Sequence, residues 1–333
     1  MTSHLARADS AGTAGSARAL TQQRPLGDRV FQALALAAGL LVLAILVLIL
    51  VSTAQQSTSW FSKEGITGIF SVTWDPAHNK FGTLTFLYGT AITALIAVIL
   101  AVPVSVAVAL LLTEVVPYRW ARPIVYIVDL LAVVPSVVWG LWGFLVFGPW
   151  AQRVIYAPVA SGLKGVPVLG NLFGPGSNGA VSGTSLFTAG LILAFMITPI
   201  VTSLSREVIA TVPAIDREGA YALGATRWEM IRGVVFPHSQ GGIVGAVLLG
   251  LGRAMGETIA AALVIGSSTQ ITSHLLTPGY SMPAVIANQF GESTGVFKAG
   301  LIGLGVLLFA FTIIINVIAR GIVDRSARRM RGE

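Results

Sequence analysis

Six apolar runs divide the chain, each long enough to cross a hydrocarbon core of about 30 Å as a helix. The first, Val30–Val51, holds 22 residues. The others run from about Thr85 to Leu112, Pro123 to Phe147, Ser185 to Leu204, Gly241 to Ile265 and Ala299 to Ile322. Polar residues gather between these runs, so the expected fold class is an all-α membrane protein with six transmembrane helices. Ser52-Thr53-Ala54 has the small residues of a signal-peptide cleavage site. The run before it exceeds the roughly 7–15 residues of such a signal, so a retained span is expected. Pro103 and Pro135 lie inside spans and are candidate gating kinks.

The segments between the runs differ in kind. Residues 1–29 are rich in Ala, Ser, Gly and Thr and read as a disordered tail. Residues 52–81 form a polar loop whose Trp60, Phe61 and Phe70 suit the membrane interface. Residues 148–183, rich in Gly, Pro, Ser and Asn, read as a second external loop with little regular pattern. Residues 206–240 are different. Thr211-Val212-Pro213 interrupts one helix, and Ala214–Leu223 then runs in good helix formers to a stop at Gly224. A second run, Thr226–Val235, ends at Pro237. A loop with this much structure reads as a docking surface rather than a tether. Residues 323–333 form a basic tail.

Composition supports the membrane reading. The chain is 54% hydrophobic and 11% charged with a mean hydropathy of +0.81, against about 25% charge in soluble domains. The net charge of +7 follows the spans, not a basic face, so nucleic-acid binding is not expected. Fifteen Lys and Arg fall on the side of the termini and the central loop, and five on the other. The positive-inside rule therefore places both termini and residues 206–240 in the cytoplasm. There is no cysteine, which excludes disulfides and thiolate chemistry. The four histidines are scattered, and no G-x-x-x-x-G-K-[ST] phosphate cradle occurs. No catalytic set, metal site or cofactor is expected.

Arg253 and Glu257 are the anomaly. Counted from Gly241 at 1.5 Å per residue, they lie about 18 Å and about 24 Å into the fifth span, four residues apart and so on one face of a continuous helix. A single such charge costs about 2.5–3.5 kcal/mol on insertion scales, so both must face protein or water. Two readings stand: a self-neutralising structural pair, or an anion path in which the arginine fork meets an oxyanion. Gly250, Gly252 and Gly256 beside them either admit a neighbouring helix or leave room for an ion. Asp129, about six residues into its span, reads as a water-facing or helix-pairing carboxylate.

The central loop carries a resemblance. Glu218-Gly219-Ala220, Gly224 and Val234-x-Phe236-Pro237 resemble the EAA loop of ABC importer membrane subunits, E-A-A, three residues, G, nine residues, I-x-L-P. The spacing matches, with departures at Gly219, Val234 and Phe236. Val134–Gly140, Ile197-Thr198-Pro199 leading to Ser205-Arg206-Glu207-Val208, and Gly250–Glu257 leading to Ile265-Gly266 look like the PstC-type permeases of phosphate-specific importers. The likeness covers about residues 82–322.

The resemblance implies a type I ABC importer permease fold with a cytoplasmic coupling helix. That helix, Ala214, Ile215, Asp216, Arg217, Glu218, Gly219, Ala220, Tyr221, Ala222 and Leu223 with its stop at Gly224, would dock in a groove of a separate ATPase. It also implies a plasma (inner) membrane location in a prokaryote, and inorganic phosphate as cargo. The implied partners are a PstA-type permease, two PstB-type ATPase subunits and an external PstS-type binding protein. Arg253 and Glu257 match the intramembrane Arg and Glu associated with phosphate passage in that family. Glu257 is expected to accept a hydrogen bond from the phosphate O–H, which sulfate lacks. Competing expectations are a permease for molybdate, tungstate or sulfate, and a secondary transporter with no ATPase.

Overall fold

A computed structural model describes residues 26–163, 165–176 and 180–331; the expected tail over residues 1–25 lies outside them. Helix α1 (Leu26–Gln56) is one uninterrupted apolar helix that contains the first expected span. Residues 51–333 form a separate unit. It opens with α2 (Thr58–Glu64), α3 (Thr67–Phe70) and a hairpin of β1 (Trp74–Asp75) and β2 (Lys80–Phe81).

Then come α4 (Leu84–Leu110), α5 (Tyr118–Val133), α6 (Ser136–Trp142), α7 (Gly148–Ala151), α8 (Ala157–Gly162) and α9 (Leu169–Phe173). The second half holds α10 (Leu186–Ala210), α11 (Ala214–Ala222), α12 (Arg227–Met230), α13 (Phe236–Gly256), α14 (Ile259–Val264), α15 (Met282–Gln289) and α16 (Gly295–Arg331). Among the described residues five helical stretches are long and apolar enough to span a membrane, and the bent stretch from Tyr118 to Gly162 makes up to six.

Helix α10 is central to this unit. Ser185 caps it, its hydroxyl accepting the Thr188 N–H at 3.2 Å. Its residues enter three apolar clusters in turn: Leu186, Ala189 and Ile192 near the start, Leu193, Met196 and Ile197 in the middle, Ile209 at the end. Helix α4 lies against it through small residues at helical spacing, Ala94, Ala97, Ala101, Ser105 and Ala109. Gly190 makes the approach possible, since a Cβ there would stand 2.6 Å from Ile96. Buried threonines return their hydroxyls to the helix, Thr90 to Phe86 O and Thr93 to Gly89 O, so apolar packing leaves no orphan donors at those positions.

Four single-turn π-bulges share one arrangement: Leu111–Val115, Gly143–Phe147, Gln152–Tyr156 and Ile231–Val235. Each ends two residues before a proline, Pro117, Pro149, Pro158 and Pro237 respectively. A proline lacks an N–H and its ring crowds the carbonyl four residues back. In each case that carbonyl belongs to the widened turn, and the N–H just before the proline bonds five residues back instead.

Three expectations are corrected. Residues 148–163 are not irregular: Pro149 and Pro158 sit in first turns, where no N–H is needed, and helix continues to Gly162. The run from Thr226 does not end at Pro237, because helix passes through it to Gly256. The third span is not one helix: α5 and the helix that follows meet at 89°, with Val134 and Pro135 both extended. Pro135 thus marks a break, whereas Pro103 sits inside an unbroken α4. Two further corrections concern the ends of the loops. Trp60 is not at an interface but fully buried, its Nε1–H donating to Phe81 O at 3.1 Å. The backbone expected to be a tail from residue 323 continues helix α16 to Arg331.

Candidate functional site

The fifth span breaks where its charges lie. Helix α13 ends at Gly256, Glu257 is extended at φ −71 and ψ 124, and α14 begins at Ile259. The expectation that Arg253 and Glu257 share a continuous helix face is therefore corrected. Among the described residues no ion pair joins them. Instead each charge occupies a helix end of opposite partial charge. Arg253 sits in the last turn of α13, and the Glu257 carboxylate accepts the Ala260 N–H in the first turn of α14 at 3.3 Å. The peptide dipoles stabilise both arrangements, so neither charge needs the other.

The guanidinium of Arg253 is exposed and has no partner among the described residues. It shares its face of α13 with Gly241, Gly245, Leu249 and Gly256, all exposed. The glycines divide by role. A Cβ on Gly250 would meet Val201 at 2.7 Å, so Gly250 admits α10; Gly252 and Gly256 face open space. A fixed cation at a break in an apolar span, bordered by bare backbone, can receive an anion or oppose another membrane subunit.

The central loop is the second candidate. Helix α11 covers Ala214–Ala222 and closes as a Schellman motif: Ala225 N–H bonds Ala220 O at 3.1 Å and Gly224 N–H bonds Tyr221 O at 2.9 Å, with Gly224 at φ +82. Thr226 and Glu229 then form a capping box at the start of α12. On α11 only Arg217 and Ala220 turn inward; Ala214, Ile215, Asp216, Glu218, Gly219, Tyr221 and Ala222 are exposed, as are Leu223 and Gly224 beyond its end. Leu223 is 91% exposed and Trp228 66%. Met230 and Ile231 pack with Ile209, Val212, Ala109 and Ile243, so the loop is seated on the ends of α4, α10 and α13.

Two ion pairs tie this end together. Arg206 of α10 stands 4.0 Å from Asp129 of α5, which fits the helix-pairing reading of Asp129. Arg217 Nη2 lies 3.0 Å from Glu114 Oε1 and donates to Ile209 O at 2.9 Å. Glu114 escaped sequence reasoning. Its signal was a carboxylate at the C-terminal end of a span, where the dipole disfavours it and a cation is required.

Against known proteins, residues 106–332 match the family described as binding-protein-dependent transport system inner membrane component. The chain is 41% identical over 303 residues to the phosphate transport system permease protein PstC of Xylella fastidiosa, covering 91% of this chain and 92% of that one. It is 40% identical over 312 residues to the protein of that name from Mesorhizobium japonicum, covering 93% and 94%. The fold is similar to that of a bacterial ABC transporter involved in the import of the acidic polysaccharide alginate. The TM-score is 0.56 at 16% identity, over 90% of this chain and 98% of that one.

Proposed function

The chain belongs to the binding-protein-dependent transport inner-membrane component family, and from that premise we propose that it is the membrane permease of an ATP-driven inorganic phosphate importer. It is a multi-pass inner-membrane protein with the fold of a type I ABC importer permease. It is a transport subunit and not an enzyme; ATP is hydrolysed on other chains of the complex.

The observation that carries the cargo reading is Arg253, an exposed and unpaired guanidinium beside a helix break inside a span. Its planar fork matches the oxygens of a phosphate. A cation of this kind within a span marks a pathway or a partner. Glu257, held at the first turn of α14, would accept the phosphate O–H.

The termini and α11 face the cytoplasm on this reading, where Ile215, Leu223 and Trp228 offer an apolar surface to an ATPase groove. The assembly contains a PstA-type second permease, two PstB-type ATPase subunits and an external PstS-type binding protein. ATP binding draws the coupling helices together and opens the path outward; hydrolysis resets it.

The test is radiolabelled phosphate uptake in cells lacking their own high-affinity importer, with this chain expressed beside its partners. Uptake that excess molybdate and sulfate fail to compete away supports the reading. Competition by either moves the cargo to that oxyanion, and uptake without the ATPase chain overturns the ATP-driven machine.

A further inference from the structure

We infer that Arg217 is a positioning residue that ties α11 to two membrane helices at once, and that this tie carries motion of α11 into the span of α4. The inference rests on the coupling reading of α11 and adds the residues through which force passes.

Two helix ends meet at Arg217. Helix α4 runs through the π-bulge Leu111–Val115 and stops. Glu114 lies in that last turn, where the partial charge is negative and a carboxylate is disfavoured. Its side chain is only 6% exposed, so water does not relieve it. Helix α10 ends at Ala210, and there Ile209 O, which accepts the Val212 N–H at 3.2 Å, has a second lone pair to offer. One guanidinium answers both. Arg217 Nη2 is 3.0 Å from Glu114 Oε1 and 2.9 Å from Ile209 O.

The geometry is that of a cation shared by two acceptors. Glu114 Oε1 has no aligned hydrogen-bond donor, and Arg217 Nε has no partner. The attraction is therefore ionic contact, tolerant of small rotations while resisting separation. Beside it the apolar seat is one-sided, since α11 contributes only Ala220 to the cluster of Ala109, Ile209, Met230 and Val235. With so little apolar burial on α11, the arginine is the main bond between that helix and α4. The remainder of α11 is exposed and free to meet a partner.

Two measurements on the full chain test this. The first is hydrogen exchange of the amides from 214 to 224 in detergent. Arg217→Met and Glu114→Gln are each expected to speed exchange by about tenfold, the scale of a lost ion pair that is partly shielded from water. Unchanged exchange in both overturns the tie. The second uses the assembled complex in proteoliposomes and reads phosphate uptake per ATP hydrolysed. Arg217→Met is expected to lower that ratio by about tenfold while the ATPase subunits remain bound. Adding Glu114→Gln is expected to make it no worse, because the stranded carboxylate is then gone.

Losses that multiply in the double variant, or a normal ratio in Arg217→Met, overturn the transmission role. If Arg217→Met fails to assemble, Arg217→Gln removes the charge while keeping a polar side chain and is expected to lower the ratio likewise, with Arg217→Lys, which keeps a cation, nearer wild type; a wild-type ratio in Arg217→Gln also overturns it. A wild-type complex that hydrolyses ATP without moving phosphate fails the functional reading instead, and leaves the exchange result to decide the tie.

Discussion

Arg253 and Glu257 are four residues apart in sequence and stand on opposite sides of a helix break, one at the end of α13 and the other against the first turn of α14. Each is stabilised by its own helix end, so neither charge is spent on the other. The consequence is testable at each residue separately.

Arg253→Ala removes the cation without filling space. Phosphate uptake is expected to fall about 10- to 100-fold, the equivalent of one lost charged hydrogen bond, with assembly intact by co-purification. Arg253→Lys is expected to recover only part, since a point charge cannot reproduce the fork. Full activity in Arg253→Ala would remove this residue from the path.

Glu257→Gln tests selectivity without disturbing the break, because the amide oxygen still accepts the Ala260 N–H. Sulfate, which carries no proton at neutral pH, is expected to gain on phosphate by about tenfold in competitive uptake as the negative charge is removed. If the ratio stays fixed while the transport rate is normal, the carboxylate does not read the phosphate proton.

Gly224 holds φ +82 at the end of α11. Gly224→Val is expected to destabilise that helix end by about 1–2 kcal/mol, weakening capture of the ATPase subunit about fivefold or more. Gly224→Asn, which tolerates the left-handed region, is expected to lie between. Equal capture by all three chains would show that the cap is irrelevant to docking.

Gly303 accepts Trp60, and a Cβ there would stand 2.8 Å from the indole. Gly303→Ala is expected to cost about 1–3 kcal/mol through overpacking, seen as a lower unfolding temperature of the purified chain. Trp60→Leu in the same chain is expected to restore part of it. Failure of that rescue would place the strain elsewhere.

The sequence made the spans legible because lipid imposes long apolar runs, and α11 legible because Pro213 and Gly224 punctuate it. It concealed the break at Glu257 because Met255, Gly256 and Ile259 continue an apolar pattern, and hydropathy does not distinguish one helix from two short ones. It misread 148–163 because glycine and proline signal loops in general, whereas Pro149 and Pro158 each follow a π-bulge that accommodates them. The contact of Glu114 with Arg217 joins residues far apart in the chain, and no local rule reports it. The EAA spacing marked the loop that contains Arg217, yet not that this residue faces inward while its neighbours face out.

The π-bulge Ile231–Val235 acts as a phase setter. Closing a hydrogen-bonded turn with one residue more than an α-turn rotates everything beyond it by about 100° relative to what precedes it. The helix from Arg227 to Gly256 carries the loop's exposed Trp228 at one end and Arg253 at the other. The compass bearing of Arg253 relative to the loop is therefore written at residues 231–235, some five turns before the charge itself. A one-residue deletion there would turn Arg253 to another wall and turn Ile243 and Gly250 out of their packing with it.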